Sequence, residues 1–94
     1  MTIEFDENKY EFIKCEAGEE ERASFWFKPK DLDLTPENKF LVVLNFEKDE
    51  DGDIEWGDFH AICVGEDTYF PDEIDEELLD VIYDNALENA PEEL

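Results

Sequence analysis

Apolar and polar residues alternate along two short segments near the start of the chain, residues 10–15 and 22–27. Both segments contain the aromatic side chains that strands favour, and the turn-like residues 17–21 lie between them. The two segments therefore predict an antiparallel hairpin, which ends at Pro29 because proline cannot donate a hydrogen bond to a neighbouring strand. Residues 3–5 predict the start of one further short strand.

Two longer strands are expected in the middle of the chain. Residues 40–46 are apolar at successive positions, which is typical of a central strand in a sheet. Residues 54–64 return after Asp51-Gly52, a dipeptide that favours a tight hairpin turn. Gly57 interrupts the alternation of this returning strand and predicts a bulge, beyond which Phe59, Ala61 and Cys63 would share one face.

Two segments carry helix signals. Thr35 and Pro36 form a helix start, but no apolar face follows them, so we expect a single helical turn there. Residues 71–88 predict one amphipathic helix that Asp72 caps and residues 89–91 end. The residues expected on its buried face are Ile74, Leu78, Val81, Ile82 and Asn85.

The order of these elements is four strands followed by a helix, which predicts an α+β fold. We expect an antiparallel sheet of four or five strands with one C-terminal amphipathic acidic helix packed on a face. Ninety-four residues suffice for one small domain, residues 1–94, and a hydrophobic fraction of 41% supplies a core that a disordered acidic tail would lack.

Charge changes this picture more than any motif does. The formal net charge is −23, which disfavours nucleic acid and anionic membranes as direct partners and predicts a basic protein partner. Residues 1–48 hold 12 acidic and 7 basic side chains, net −5, whereas residues 49–94 hold 18 acidic and none basic, net −18. The C-terminal half therefore dominates the electrostatic field.

Acidic residues recur every four positions along the predicted helix, where neighbouring carboxylates repel one another. Between residues 72 and 88, eight carboxylates lie along roughly 24 Å of helix, about half the linear charge density of duplex DNA. We expect this surface to bind the partner, with Asp51 and Asp53 of the hairpin turn extending it. Its helical members are Asp72, Glu73, Asp75, Glu76, Glu77, Asp80, Asp84 and Glu88.

Other candidate chemistry has weaker support. Asp49, Asp51 and Asp53 resemble the start of an EF-hand calcium loop, but Ile54 and His60 stand where that loop needs glycine and glutamate, so we expect a solvated turn and no metal site. His60 has no nucleophile signature around it, and the sequence has no glycine-rich phosphate loop or zinc spacing. The sequence therefore predicts no enzyme and no cofactor.

The two cysteines, Cys15 and Cys63, each lie in a strand-like pattern without a wider cysteine framework, so we expect reduced and mostly buried thiols. No basic region followed by an apolar run opens the sequence, and the expected location is the cytoplasm of a bacterial host cell.

These features lead to a hypothesis of an acidic inhibitor that mimics DNA and occludes the basic groove of a DNA- or RNA-handling protein. Phage or mobile-element inhibitors of the anti-restriction or anti-CRISPR type work in this style. The alternative is an acidic interaction or immunity module that binds a basic protein through an apolar anchor, Trp26 or Trp56. Surface adaptation to high salt is a third reading of the same charge.

Overall fold

The computed structural model describes residues 5–92 of the chain. Its five strands are β1 (Tyr10–Ala17), β2 (Arg22–Pro29), β3 (Phe40–Lys48), β4 (Ile54–Val64) and β5 (Asp67–Tyr69). They form one antiparallel sheet in the order β1-β2-β3-β4-β5, so each strand pairs with its neighbours along the chain. A short 3-10 helix (Pro71–Glu73) and one α-helix, α1 (Glu76–Glu88), follow the sheet. The predicted α+β fold is confirmed, whereas the strand expected at residues 3–5 falls largely outside the described residues.

The predicted hairpin of β1 and β2 is confirmed, with one irregularity inside it. Phe12 pairs with Phe27 and Lys14 pairs with Trp26, so Ile13 is an extra residue in β1. In the connecting turn, Glu20 and Glu21 both have a φ of 59°, in the left-handed region that costs a residue with a Cβ about 1–2 kcal/mol.

The register between β3 and β4 shifts twice. One shift lies between Trp56 and Phe59, where Gly57 predicted a bulge. The second lies at His60, because Phe59 pairs with Leu44 while Ala61 pairs with Val43. Phe59 therefore faces the helix. The expectation that it shares a face with Ala61 is wrong, because the second shift has no glycine or other signal at His60.

One face of the sheet carries the core, and α1 packs on that face. The buried apolar sheet residues of this core cluster are Ala23, Phe25, Phe27, Phe40, Val42, Leu44, Phe46 and Ile62. Residues on the alternate positions define what we call the outer face: Ser24, Trp26, Leu41, Val43, Ala61 and Cys63. Residues 5–92 contain no second α-helix to cover this outer face.

The C-terminal helix is shorter than predicted. Glu73 Oε2 accepts a hydrogen bond from the Phe70 amide at 2.8 Å, which caps the start of the short 3-10 helix. Ile74 is then extended, with φ −120° and ψ 144°, so α1 begins at Glu76 after Asp75 as its N-cap. The expectation of one continuous helix over residues 71–88 with Asp72 as its cap is therefore wrong, whereas its end at Asn89 is confirmed.

The expected buried face is confirmed in part, because three of its five residues pack with the core: Ile74, Leu78 and Ile82. Ile82 and Ala86 are fully buried, and Leu79 and Tyr83 pack beside them. Val81, which was expected in this face, is 45% exposed. In the part of the chain that the structure describes, no helix has the length and apolar character of a membrane span.

The segment before β3 contains the single helical turn that the sequence predicts, since the amides of Asn38 and Lys39 donate to the Thr35 carbonyl oxygen at 3.3 and 3.2 Å. The Asn38 amide donates to Thr35 Oγ1 at 3.2 Å, and the Thr35 amide donates to Asn38 Oδ1 at 2.8 Å. The two side chains thus satisfy each other's backbone donors at the start of this turn, which does not continue into a longer helix.

Replacement of Ile82 tests the packing of α1. We expect Ile82→Ala to lower the free energy of unfolding by about 2–5 kcal/mol, because it leaves a cavity between α1 and the sheet. The matched control Val81→Ala removes an exposed side chain and should change it by less than about 0.5 kcal/mol. Urea unfolding measures both, and equal effects would contradict the packing described.

Candidate anionic binding surface

Helix α1 carries five carboxylates, all exposed to solvent: Glu76, Glu77, Asp80, Asp84 and Glu88. Because the core contacts of Ile82 and Ala86 fix the rotation of the helix, these side chains must project away from the sheet core. No lysine or arginine follows Lys48 in the sequence. We call these five residues the helix carboxylates.

The three acidic residues before α1 are exposed but do not continue its stripe. Asp72 and Glu73 lie in the short 3-10 helix, and Glu73 is held by its bond to the Phe70 amide. Asp75 is the N-cap of α1, where the positive end of the helix dipole favours a carboxylate. The regular four-residue spacing therefore begins at Glu76, because the extended Ile74 separates Asp72 from the helix.

The structure adds one carboxylate that the sequence did not assign to this surface. Asp58 of β4 lines an open groove together with Glu76 and Asp80 of α1. Sequence separation hides this grouping, since it depends on where the helix crosses the sheet. The anionic surface therefore extends from the helix onto the edge of β4.

Tyr83 lines this groove between α1 and β4. Its hydroxyl donates a hydrogen bond to the Gly57 carbonyl oxygen at 3.0 Å, which fixes the ring between α1 and β4. Burial, and secondarily the charge of Asp58, raise the pKa of the Tyr83 hydroxyl above its ordinary value.

Asp51 and Asp53 lie apart from the helix carboxylates. They sit at the tip of the β3–β4 hairpin, where carboxylate oxygens of Asp49, Asp51 and Asp53 lie within 4.8 Å of one another. Asp49 Oδ1 accepts hydrogen bonds from the backbone amides of Asp51 and Asp53, both at 2.9 Å. A strand rises about 3.4 Å per residue, so the five residues from Asp53 to Asp58 put this tip roughly 15 Å from the groove. The expected solvated turn is confirmed.

A second acidic recess was missed by the sequence reasoning. Glu47 of β3 and Glu55 of β4 are direct cross-strand partners, an arrangement that places like charges opposite each other. Glu20 and Glu21 line the same recess from the β1–β2 turn. The pairing of Glu47 with Glu55 could have been predicted by counting outward from the Asp51-Gly52 turn. The position of the β1–β2 turn beside this pair could not, because the two are far apart in the sequence.

Trp26 lies on the outer face, opposite α1. The Lys14 ammonium sits 4.7 Å from the centre of its ring, in the range of a cation–π contact. Trp26 and the helix carboxylates therefore point in opposite directions and cannot both touch one flat partner surface. Trp56 packs on Phe25 and Phe46 at the core face, so its contacts are structural.

The basic residues of β1 and β2 lie on the outer face. Lys14, Arg22 and Lys28 alternate with Trp26 and its neighbours in register, and each forms an ion pair. The pairs are Lys14–Glu16 at 2.8 Å, Arg22–Glu20 at 2.9 Å, and Lys28–Glu11. The positive charges on this part of the sheet are thus paired locally, whereas α1 has carboxylates and no basic residue.

The single histidine and the two cysteines lie in strands of the sheet. His60 is half-buried in β4, as expected of a strand histidine. Both cysteines are free and half-buried, with Cys15 on the core face and Cys63 on the outer face, so the sheet separates them. Burial raises the pKa of the Cys15 thiol to about 11, which keeps it protonated and unreactive at neutral pH.

No known protein family, curated protein or solved structure gives a significant match to this chain. What the protein does must therefore be inferred from its own geometry and charge.

Neutralising part of the helix surface should stabilise the fold. We expect the triple variant Glu76→Gln, Asp80→Asn and Asp84→Asn to raise the free energy of unfolding by about 0.5–1 kcal/mol at low salt, because it removes three repulsive four-residue spacings. High salt should shrink this gain by screening the repulsion in the original chain.

A control variant carries the same charge change in the loop between β2 and β3: Asp31→Asn, Asp33→Asn and Glu37→Gln. Each variant neutralises three carboxylates, so both have a net charge of −20 where the original chain has −23. Equal stabilisation of the two by urea unfolding would mean that total charge, and not the helix spacing, sets the cost.

The ionisation of Tyr83 gives a pH test of the groove. We expect Asp58→Asn to lower the pKa of Tyr83 only part of the way to its ordinary value, because burial is the larger cause. Since the folded pKa lies above the unfolded one, the associated stability is complete below about pH 10 and is lost as pH rises through the folded pKa. Carbon-13 NMR of the tyrosine ring measures the titration, and an unchanged pKa in Asp58→Asn would place that carboxylate away from the hydroxyl.

Proposed function

We propose that this protein is a small inhibitor that mimics nucleic acid and occludes the basic groove of a DNA- or RNA-handling protein. The observation that carries the proposal is the set of five helix carboxylates, all exposed on one short helix that has no basic residue. A surface that repels itself in this way costs stability, and a basic partner would turn that cost into binding energy.

The charge spacing of α1 supports the comparison with nucleic acid. Thirteen residues at about 1.5 Å each give a helix of roughly 20 Å, so its five carboxylates fall about one per 4 Å. One strand of duplex DNA carries a phosphate about every 3.4 Å along the axis. The helix thus offers a basic groove a charge density close to that of one phosphate strand.

Inhibition of this kind requires no catalysis. The helix carboxylates stand in for phosphates and enter the groove, while the rigid sheet behind them blocks access to it. The acidic residues before α1 and the pair Asp51 and Asp53 at the hairpin tip extend the field that steers the two proteins together. An inhibitor of phage or mobile-element origin, acting on restriction or CRISPR machinery in the bacterial cytoplasm, is the setting that we propose.

A second candidate function is supported by the outer face. Trp26, Leu41, Val43 and Cys63 are half-buried there, on a sheet face that no second α-helix of residues 5–92 covers. An antiparallel sheet with one solvated face usually presents polar residues on it. An acidic interaction module would use Trp26 as its apolar anchor, and the helix carboxylates would then only accelerate the encounter.

Competition with DNA tests the first function. We expect the immobilised protein to capture nucleic-acid-binding proteins from a nuclease-treated bacterial lysate and to release them when short duplex DNA or high salt is added. The helix triple variant should lose most of this capture, whereas the loop triple variant of equal charge should retain it. Mass spectrometry identifies the released proteins.

Two results would contradict this function. Capture that duplex DNA does not displace would mean that the partner's nucleic-acid site is not occupied. Capture that survives both high salt and the helix triple variant, but is lost in Trp26→Ala, would support the interaction module instead.

A further inference from the structure

The groove between α1 and β4 has a composition that differs from the rest of the anionic surface. It is an open groove of about 780 Å3. Phe59 and Asp58 line it from β4, and Glu76, Leu79, Asp80 and Tyr83 line it from α1. Aromatic rings and carboxylates therefore converge at one place, which a charged surface alone does not require.

The two rings form a fixed corner. The centres of Phe59 and Tyr83 are 5.4 Å apart and their planes meet at 66°, an edge-to-face arrangement. The Tyr83 ring is held by the hydrogen bond from its hydroxyl to the Gly57 carbonyl oxygen at 3.0 Å. Both rings also pack against the core cluster. Both side chains remain partly exposed, so ring surface is open to the groove.

The charge at this corner is of one sign. Asp58, Glu76 and Asp80 surround it, and no lysine or arginine is among the residues that line it. A cation placed there would meet the negative face of an aromatic ring and one or more carboxylates together, whereas an anion or a neutral apolar group would meet uncompensated negative charge.

We propose that this groove receives an arginine side chain of the basic partner. A guanidinium is planar, stacks on an aromatic face and can donate two parallel hydrogen bonds to a carboxylate, so one side chain can use both components of the groove. This inference rests on the proposed function and deepens it, since nucleic-acid-binding proteins use arginine to contact phosphates. The helix carboxylates attract the basic partner at long range, and the groove provides a specific binding site for one of its arginine side chains.

Isolated amino-acid probes test the groove without the partner. Nitrogen-15 NMR of the full chain should show saturable shifts with N-acetyl-arginine amide, centred on the amides of Phe59, Asp80 and Tyr83. N-acetyl-citrulline amide has nearly the same shape without the charge and should cause no saturable shift. N-acetyl-lysine amide should bind more weakly than the arginine probe.

Three variants separate the groove from the general charge. Phe59→Leu keeps an apolar side chain and removes a ring, and Asp80→Asn removes one charge of the groove. Each should weaken binding of the arginine probe about two- to fivefold. Asp84→Asn removes one charge of α1 that does not line the groove, and it should weaken binding of the arginine probe less than Asp80→Asn does. The spread of the NMR spectrum shows whether each variant folds, and Asp80→Asn alters only an exposed side chain.

The proposal is overturned if arginine and citrulline probes give the same shifts, if lysine equals arginine, or if Asp84→Asn weakens binding as much as Asp80→Asn. Its failure is distinct from failure of the proposed function. If the arginine probe does not bind but duplex DNA still displaces the captured proteins, the arginine-binding groove is contradicted and the mimicry is not. If the probe binds saturably but DNA displaces no captured protein, the mimicry is contradicted and the arginine-binding groove is not.

Discussion

The burial of Ile82 and Ala86 against the sheet is the contact on which the rest of the molecule depends. These two side chains have no exposed surface, and they fix both the position and the rotation of α1. Every other side chain of the helix is then placed by the helical period. The same rotation that buries Ile82 exposes the helix carboxylates and turns Tyr83 toward β4.

A dense aromatic core is what allows such a charged chain to fold. Phe25, Phe27 and Phe40 are almost completely buried, and their contacts with neighbouring rings extend from Phe5 to Trp56. Burial of large side chains contributes roughly 1.5–3 kcal/mol each, whereas each repulsive pair on a helix costs only a few tenths. The core can therefore tolerate a surface that its own electrostatics disfavours. On β1 and β2, ion pairs of Lys14, Arg22 and Lys28 offset part of the negative charge.

Local patterns predicted the strands well and the site only in part. The alternation around Phe25 and Val42, and the turn signal at Gly52, report interactions between residues that are close in sequence or in one hairpin. The missed features depend on more distant contacts. The break at Ile74, where the backbone is extended between the short 3-10 helix and α1, is a feature that apolar spacing cannot detect. The place of Asp58 in the groove depends on where α1 crosses β4, and no periodicity contains that information. Function is predicted least, because charge density indicates a class of partner and not its identity.

The most direct test of the account is the salt dependence of the affinity for a captured partner, measured for the original chain and for the helix triple variant. Mimicry of a phosphate strand predicts that the logarithm of the association constant falls steeply and linearly with the logarithm of salt concentration, and that the variant reduces this slope. A shallow slope, or an equal slope in the two proteins, would contradict the claim that the helix carboxylates take the place of phosphates.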